Sequence, residues 1–269
     1  MELVGKVTVV TGAAGGIGKA LAEKFHQEGA RVVLADLDEA ALQLVAGPLN
    51  AKRPDSALVF AANLGTEAAN AALVKTAIDT FGTVDLFFAN AGVGSGSDLS
   101  TPEDVWETAF NINFNAHRWA AKYLLPEWLA RGDGYFCSTA SAAGLLSQIG
   151  SAPYTVTKHS AVAFAEWLSL TYGARGIKVS CLCPQGVNTN MLRQGDTPGA
   201  GIASDVVRSA GDVLEPDEVA IVVSDAIEQE KFLILPHPQV AEFEQRKAAD
   251  RDRWLSGMRK LQARVYGKG

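Results

Sequence analysis

Seven short apolar runs, separated by segments of helical length, restrict the fold of this chain more than any other feature. The runs are VTVV (7–10), RVVLA (31–35), ALVFA (57–61), VDLFFA (84–89), GYFCS (134–138), KVSCLC (178–183) and FLIL (232–235). Strands that are apolar on both faces and alternate with helices are typical of a parallel sheet covered on both sides. Since crossovers between parallel strands are right-handed, the pattern predicts a doubly wound α/β sheet of the Rossmann type.

The sequence divides into one predicted domain and a C-terminal extension. A length of 269 residues suits one large α/β domain, and no linker interrupts residues 1–236. Within this domain the Gly-, Ser- and Asp-rich stretch predicts a loop or lid over the substrate at 190–214. Apolar residues recur at helical spacing in the C-terminal extension, 237–269, and predict one amphipathic helix there. This extension packs on its own body, across a subunit interface or over a neighbour's active site.

Charge and composition exclude several classes of partner. The net charge of −6 argues against nucleic acid, and residues 246–269 carry eight Lys/Arg against two Asp, which leaves the rest of the chain at −12. No apolar run is long enough to span a membrane and the chain enters its first strand without a signal peptide, so we expect a cytoplasmic protein. The three cysteines and four histidines show no disulfide or metal-ligand spacing.

The first apolar run leads directly into a glycine-rich turn, TGAAGGIG (11–18), and then into a helix. Glycines at 12, 16 and 18 allow bare backbone to approach a pyrophosphate, which the N–H groups and partial positive charge of the helix N-terminus stabilise. The second strand ends at Asp36, where a carboxylate can accept hydrogen bonds from ribose hydroxyls. Together the turn and the carboxylate predict a dinucleotide site.

The same carboxylate predicts a preference for NAD over NADP. Asp36 would repel a 2′-phosphate by up to roughly 4 kcal/mol at about 4 Å and an effective dielectric near 20. Neither Leu37, the next residue, nor Ala14 in the glycine loop is basic, so no side chain is placed to receive that phosphate.

A tyrosine and a lysine stand four residues apart in SAPYTVTKHS (151–160), and this spacing places them on one face of a helix. An isolated pair of this kind is most often a surface contact. Beside a dinucleotide, however, the Lys158 ammonium and the positive oxidised nicotinamide would favour the Tyr154 phenolate. Lowering a tyrosine pKa by about 3 units needs roughly 4 kcal/mol, so the pair predicts an acid/base usable near neutral pH.

Five motifs in a fixed order make this chain resemble the short-chain dehydrogenase/reductase family. They are TGAAGGIG (11–18), NAG (90–92), Asn113 in FNINF, Ser141 in STASAAG and YTVTK (154–158). Ser141 precedes Tyr154 by thirteen residues, the separation usual in that family. The resemblance covers residues 3–235 and implies a nicotinamide-dependent oxidoreductase.

The resemblance implies a catalytic tetrad of Asn113, Ser141, Tyr154 and Lys158. Tyr154 would exchange the proton of the alcohol, Ser141 would donate a hydrogen bond to the substrate oxygen, and Lys158 would also hold the nicotinamide ribose. Asn113 would order a water that links Lys158 to solvent. The predicted cofactor residues are Gly12, Ala14, Gly16, Ile17, Gly18, Asp36, Leu37, Asn63, Leu64, Asn90, Ala91, Gly92, Tyr154, Lys158, Pro184, Val187 and Thr189.

Position relative to these motifs also indicates a substrate pocket. The predicted substrate residues are Ser141, Ala143, Leu145, Tyr154, Gln185 and Met191. Because this set is mostly small and apolar and contains no arginine, we expect a neutral, apolar secondary alcohol or ketone. Gln185 stands where the family usually has glycine after the proline, and it projects either toward the substrate or toward solvent.

The family resemblance also implies a homodimer or homotetramer formed through the helices that carry Asn113 and Tyr154, and Phe164 and Trp167 suit such a contact. One alternative is a nucleotide-binding regulatory protein of the same fold without turnover, against which the complete tetrad argues. A second alternative, an epimerase or dehydratase of the longer-chain relatives, conflicts with the modest length of the chain.

Overall fold

A sheet of seven parallel strands forms the centre of the molecule in the computed structural model, which describes residues 1–94, 96–194, 203–209 and 211–267. The strands are β1 (Val7–Thr11), β2 (Arg31–Asp36), β3 (Ala57–Ala61), β4 (Leu86–Ala89), β5 (Gly134–Thr139), β6 (Ile177–Leu182) and β7 (Leu233–Ile234). Their spatial order is β3-β2-β1-β4-β5-β6-β7. The predicted doubly wound parallel sheet is therefore confirmed, and each strand lies within two residues of its predicted run.

Helices cover both faces of the sheet in the described ranges. They are α1 (Gly16–Gln27), α2 (Glu39–Lys52), α3 (Glu67–Phe81), α4 (Glu103–Phe110), α5 (Ala116–Arg131), α6 (Ala143–Leu146), α7 (Ala152–Tyr172), α8 (Asn190–Gln194), α9 (Ala203–Ser209), α10 (Pro216–Glu228), α11 (Gln239–Ala249) and α12 (Arg251–Val265). One core contains residues of α1, α2 and α10, and the other contains residues of α3, α5 and α7.

Alternation along the strands explains the two cores. Val9 and Val33 belong to the core with α3, α5 and α7, whereas Val10, Val32 and Leu34 belong to the core on the opposite face. Successive strand side chains point to opposite faces, so a strand covered on both sides must be apolar throughout. This is why these strands appear in the sequence as continuous apolar runs.

The order of the strands also determines where a ligand can bind. β1 pairs with β2 on one side and with β4 on the other, so the connections reverse direction at β1. Parallel sheets of this kind bind ligands at the carboxyl ends of the strands beside such a switch point. The glycine loop after β1 and the NAG segment after β4 both lie there.

The C-terminal extension forms two helices rather than the single helix that its spacing predicted. The break is at Asp250, whose extended backbone (φ −150°) ends α11 and whose side chain accepts a hydrogen bond from the Arg253 N–H to cap α12. The extension nevertheless packs on the body, because Val240 is fully buried in the core and Phe243 and Trp254 pack against the same core.

The predicted lid contains two short helices among its described residues, while 211–214 are not helical. Within 190–214, α8 and α9 are described, while 195–202 and 210 lie outside the described residues. A parallel bridge between Val187 and Leu214 joins the two ends of this segment. In the described ranges, no helix combines the length and the apolar character that crossing a lipid bilayer requires.

Candidate active site

The glycine loop is packed so closely that side chains would not fit at two of its positions. Gly12 has a left-handed φ of +69°, and a Cβ there would lie 3.0 Å from the amide nitrogen of Asn90. A Cβ on Gly18 would overlap the carbonyl oxygen of Gly12 and would lie 2.7 Å from the same amide nitrogen. No side chain from the described part of the chain caps α1 at Gly15, so its first-turn N–H groups can bind phosphate. These features fit a dinucleotide.

Asp36 connects the end of β2 to the glycine loop. One carboxylate oxygen accepts from the Ala14 N–H (3.2 Å), and the other accepts from the Leu37 N–H (2.6 Å). Asp38 lines the same part of the cleft and caps α2 by accepting from the Ala41 N–H (3.0 Å). Two carboxylates therefore lie together beside the glycine loop.

Thr11 fixes the NAG segment, a role that the sequence did not reveal. Its hydroxyl accepts hydrogen bonds from the backbone N–H groups of Asn90 and Ala91 (2.9 Å each). The Asn90 side chain donates to the Thr11 carbonyl (3.0 Å) and accepts from the Thr139 hydroxyl (3.0 Å). The ends of β1, β4 and β5 are thereby joined, and only the strand order brings them together.

Lys158 on α7 is buried in the site, with 2% of its surface exposed. Its Nζ donates to the Thr139 carbonyl (2.9 Å) and lies 5.6 Å from the centre of the Tyr154 ring. Burial lowers the pKa of Lys158 to about 8. This pKa still lies above 7, so the amine is mostly protonated near neutral pH.

Burial raises the pKa of Tyr154 above its ordinary value, and a hydrogen bond with Ser141 acts in the opposite direction. The lowered pKa expected from Lys158 is therefore not found for the protein groups by themselves. The reason is geometric: Lys158 donates to Thr139 rather than to the phenol, so desolvation dominates at Tyr154. An oxidised nicotinamide, whose positive charge is part of the expectation, would favour the phenolate further.

Ser141 follows β5 and connects the tetrad to the segment after β6. Its Oγ donates to the Pro184 carbonyl (3.4 Å) and accepts from the Ala143 N–H at the start of α6 (3.1 Å). The hydroxyl is buried beside Tyr154, with which it shares the hydrogen bond described above. Ser141 and Tyr154 are thus placed to bind one oxygen atom together.

Asn113 lies behind the cleft, in a π-helical segment (Asn111–Asn115) between α4 and α5. It is fully buried and is held by both backbone polar groups of Val93: its Oδ1 accepts from the N–H (2.8 Å) and its Nδ2 donates to the carbonyl (2.9 Å). The same Nδ2 donates to the Thr157 hydroxyl (3.1 Å). Asn113 therefore joins the loop after β4 to the helix that carries Tyr154 and Lys158, and π-helical turns of this kind are common at functional sites.

His117 lies one helical turn after Asn113 and is also fully enclosed. Its Nδ1 is hydrogen-bonded to the Ser138 hydroxyl (2.9 Å), while its Nε2 has no partner within the described part of the chain. Burial, helped by the charge of Lys158, lowers the pKa of His117 to about 3. The imidazole is therefore neutral at physiological pH.

One cleft of about 630 Å³ contains most of the predicted site residues. Those lining it are Gly12, Ala14, Gly16, Ile17, Asp36, Asn90, Ala91, Gly92, Ser141, Ala143, Tyr154, Lys158, Pro184, Gln185, Val187, Thr189 and Met191. Those that do not line it are Gly18, Leu37, Asn63, Leu64, Asn113 and Leu145. Gly18 and Asn113 support the cleft from behind, whereas Leu37 is 73% exposed and Leu64 is buried in the core.

Gln185 lines the cleft and is connected to the C-terminal extension. Its backbone N–H donates to His237 Nδ1 (3.2 Å), and its Oε1 accepts from Gln239 Nε2 (3.3 Å). His237 is buried, and its Nε2 donates to the Gly186 carbonyl (3.1 Å). No sequence pattern indicates these contacts, since His237 shows no ligand spacing and Gln239 lies 54 residues from its partner.

Lys247 forms a second connection between the extension and the substrate side of the cleft. It is buried on α11, and its Nζ donates to the carbonyl of Leu145 in α6. Burial lowers the pKa of Lys247. The extension therefore contacts both Gln185, after β6, and α6, which contributes Ala143 to the cleft.

Comparisons with known proteins agree with this geometry. The family model for short chain dehydrogenases matches residues 6–198. The chain is 36% identical to 1-deoxy-11-beta-hydroxypentalenate dehydrogenase of Streptomyces exfoliatus, over 87% of this chain and 84% of that protein. The chain belongs to the short-chain dehydrogenase/reductase family, as its motifs predicted.

Solved structures of relatives contain nicotinamide cofactors. A short-chain dehydrogenase/reductase from Burkholderia phymatum in complex with NAD aligns with a TM-score of 0.84 at 30% identity, covering 94% of this chain and 96% of that one. L-sorbose reductase from Gluconobacter frateurii, complexed with NADPH and L-sorbose, aligns with a TM-score of 0.77 at 25% identity, covering 87% and 97%. NAD and NADPH both occur among these relatives, so the relatives do not determine which cofactor this chain prefers.

Proposed function

We propose that this protein is an NAD-dependent dehydrogenase that interconverts a secondary alcohol and a ketone. The observation that carries the proposal is that Ser141, Tyr154 and Lys158 line the same cleft as the glycine loop and Asp36. A nucleotide-binding protein without turnover would need the loop and the carboxylate but not a buried serine–tyrosine pair beside a buried lysine.

Each member of the tetrad has a role that its contacts support. Tyr154 takes the hydroxyl proton during oxidation and returns it during reduction, while Ser141 donates a hydrogen bond to the same substrate oxygen. Lys158, buried with its Nζ 5.6 Å from the centre of the Tyr154 ring, holds the nicotinamide ribose, and its charge together with that of the oxidised nicotinamide favours the phenolate. Asn113 fixes α7 relative to the loop after β4. When bound, the dinucleotide accepts or supplies the hydride.

The preference for NAD rests on charge at the adenosine end. Asp36 and Asp38 both line the cleft, and Lys158 is the one cation among the described residues that line it. Lys158 stands at the opposite end, bound to the Thr139 carbonyl. A 2′-phosphate would therefore meet two carboxylates and no positive charge.

The substrate is proposed to be an uncharged small molecule. Ala142, Ala143, Met191 and Leu192 give the substrate end a small, apolar lining. In the described ranges this end contains no arginine or free ammonium that could pair with a carboxylate or phosphate. Hydride transfer at a neutral secondary alcohol or ketone is the reaction that these residues fit.

The active form is proposed to be a dimer or tetramer that associates through α5 and α7. On α7, Trp167 is 50% exposed and Leu170 is 86% exposed, beside the half-buried Phe164. An exposed aromatic and aliphatic surface of this kind is typical of a protein–protein interface.

A panel of neutral secondary alcohols and ketones, followed by absorbance of the reduced cofactor, tests the proposal. We expect turnover in both directions with NAD(H) and a kcat/KM for NADP(H) at least tenfold lower. No turnover on the panel with either cofactor, together with dinucleotide binding, would favour the regulatory alternative. Equal kcat/KM for the two cofactors would contradict the assignment of Asp36.

A further inference from the structure

Gln185 is a polar side chain at the proposed substrate end, and its amide nitrogen bonds to none of the residues that the structure describes. It directly follows Pro184, whose carbonyl accepts hydrogen bonds from the Ser141 hydroxyl (3.4 Å) and the Ala142 N–H (2.8 Å). Gln185 is therefore one residue from the group that contacts the catalytic serine. Its side chain is half-buried and lines the cleft.

The orientation of this side chain is determined by the C-terminal extension. Gln239, the first residue of α11, donates from Nε2 to Gln185 Oε1 (3.3 Å). On the other side, the Gln185 backbone N–H donates to His237 Nδ1 (3.2 Å). With Oε1 turned toward Gln239, the Nε2 of Gln185 has no hydrogen-bond partner among the described residues, although it carries two donor hydrogens. An amide donor that is left open in a half-buried cleft is available to a ligand.

We propose that Gln185 Nε2 donates a hydrogen bond to a second oxygen of the substrate, close to the reacting carbon, and that Gln239 is the positioning residue for this contact. The inference rests on the proposed function and narrows its substrate class. The preferred substrates are ketones or alcohols with a hydroxyl, ether or keto oxygen near the reacting carbon, rather than plain aliphatic ones. Ser141 and Tyr154 bind the reacting oxygen, and Gln185 binds the second one.

Two ketones of equal size isolate this contact. 1-Methoxypropan-2-one has an ether oxygen where pentan-2-one has a methylene, so the ratio of their kcat/KM values reports the second acceptor. Gln185→Met keeps the length of the side chain and removes the donor. Because the intrinsic reactivity of the ketones is the same for every variant, only the enzyme can change the ratio between variants.

We expect the ratio to fall about 5- to 10-fold in Gln185→Met, as for one lost neutral hydrogen bond, and about 2- to 3-fold in Gln239→Leu. Gln262→Leu, which removes an exposed glutamine from α12, is the matched control and should leave the ratio unchanged. An unchanged ratio in Gln185→Met would overturn the proposal. An unchanged ratio in Gln239→Leu alone would overturn the role of Gln239.

A binding measurement separates this proposal from the proposed function. In a Tyr154→Phe background, which blocks turnover, quenching of NADH fluorescence gives the dissociation constants of both ketones. When Gln185→Met is added to Tyr154→Phe, we expect the preference in binding for 1-methoxypropan-2-one over pentan-2-one to fall by the same factor. If the enzyme turns over and Gln185→Met changes neither the kcat/KM ratio nor the ratio of dissociation constants, the Gln185 contact alone is refuted. If the enzyme does not turn over but Gln185→Met shifts the ratio of dissociation constants, the dehydrogenase assignment alone is refuted.

Discussion

The two ends of the cleft are built in different ways. The dinucleotide end consists of strand termini and the turns that follow them, and its contacts run between backbone and short side chains such as Thr11 and Asp36. The substrate end is assembled from α6, α8 and the segment after β6, and it is connected to the C-terminal extension through Gln239 and Lys247. One end depends on the register of the sheet, and the other depends on contacts between distant parts of the chain.

This difference indicates which end can change between relatives without loss of the fold. A change in the glycine loop disturbs β1, α1 and the NAG segment together, because Gly12 and Gly18 are in close contact with Asn90. A change at Gln185 or Gln239 alters one hydrogen bond at the surface of the cleft. A substitution at the proposed substrate end should therefore disturb the sheet less than one in the glycine loop.

Tyr154 lies where the two ends of the cleft meet, and its substitution should have the largest effect on turnover. Tyr154→Phe removes the proton donor and acceptor, and we expect kcat to fall about 10³-fold, since positioned acid–base groups contribute roughly 10²- to 10⁴-fold. NADH affinity and the unfolding temperature should stay as in the unmodified protein. Steady-state kinetics and cofactor titration measure these quantities. Retention of more than a tenth of kcat by a folded variant would refute the assigned role.

Two glycines of the same loop test the rigidity of the dinucleotide end. A Cβ on Gly18 would overlap the Gly12 carbonyl, so Gly18→Ala should reduce the free energy of unfolding by about 3 kcal/mol and weaken NAD binding. Gly15→Ala is the matched control for stability, because nothing in the chain lies within 4 Å of its Cβ position. Urea unfolding compares the two variants, and NAD titration compares Gly18→Ala with the unmodified protein, since Gly15 itself lines the cleft. Equal stability of both variants would show that the loop relaxes easily.

Asp36 is the point at which the dinucleotide end can be altered without disturbing the sheet. Asp36→Asn removes the charge and keeps an oxygen acceptor for the Ala14 N–H. We expect the ratio of kcat/KM for NADP to that for NAD to rise about 30-fold, or about 2 kcal/mol after screening by solvent. Asp79→Asn, an exposed position on α3, provides the same charge change away from the cleft. A similar rise in that control would assign the effect to net charge instead.

Buried His117 makes the stability of the core beneath both ends depend on pH. Its folded pKa of about 3 lies below the unfolded value near 6.5, so the unfolded chain binds the proton more readily between these values. Stability is therefore full above pH 6.5 and falls on acidification, by about 1.2 kcal/mol between pH 7 and 5.5 from this group. Urea unfolding at the two pH values measures this fall in the free energy of unfolding, and His117→Gln should lack the part that His117 contributes. An equal fall in both proteins would show that His117 does not cause the pH dependence.

The sequence alone determined the sheet and the dinucleotide site to a large extent. Strands buried on both faces must be apolar throughout, so each appeared as a continuous run. Asp36 directly follows the second run, and this position placed a carboxylate at the carboxyl end of that strand. The turn in 11–18 has a local cause, because glycine is the residue that permits its backbone and its close packing. The apolar periodicity and the glycine spacing reflect these requirements, because burial of a strand and the geometry of a turn act on residues that are close in the chain.

Only the tertiary structure decided which groups support the chemistry and the substrate. The contact of Lys158 with the Thr139 carbonyl, the bonds of Thr11 to the NAG segment and the pairing of Gln185 with Gln239 join residues that are far apart in the chain. The break at Asp250 likewise divided an amphipathic pattern that predicted one helix. Hydrogen bonds and desolvation depend on distances in space. For residues that are far apart in the chain, only the folded structure determines those distances.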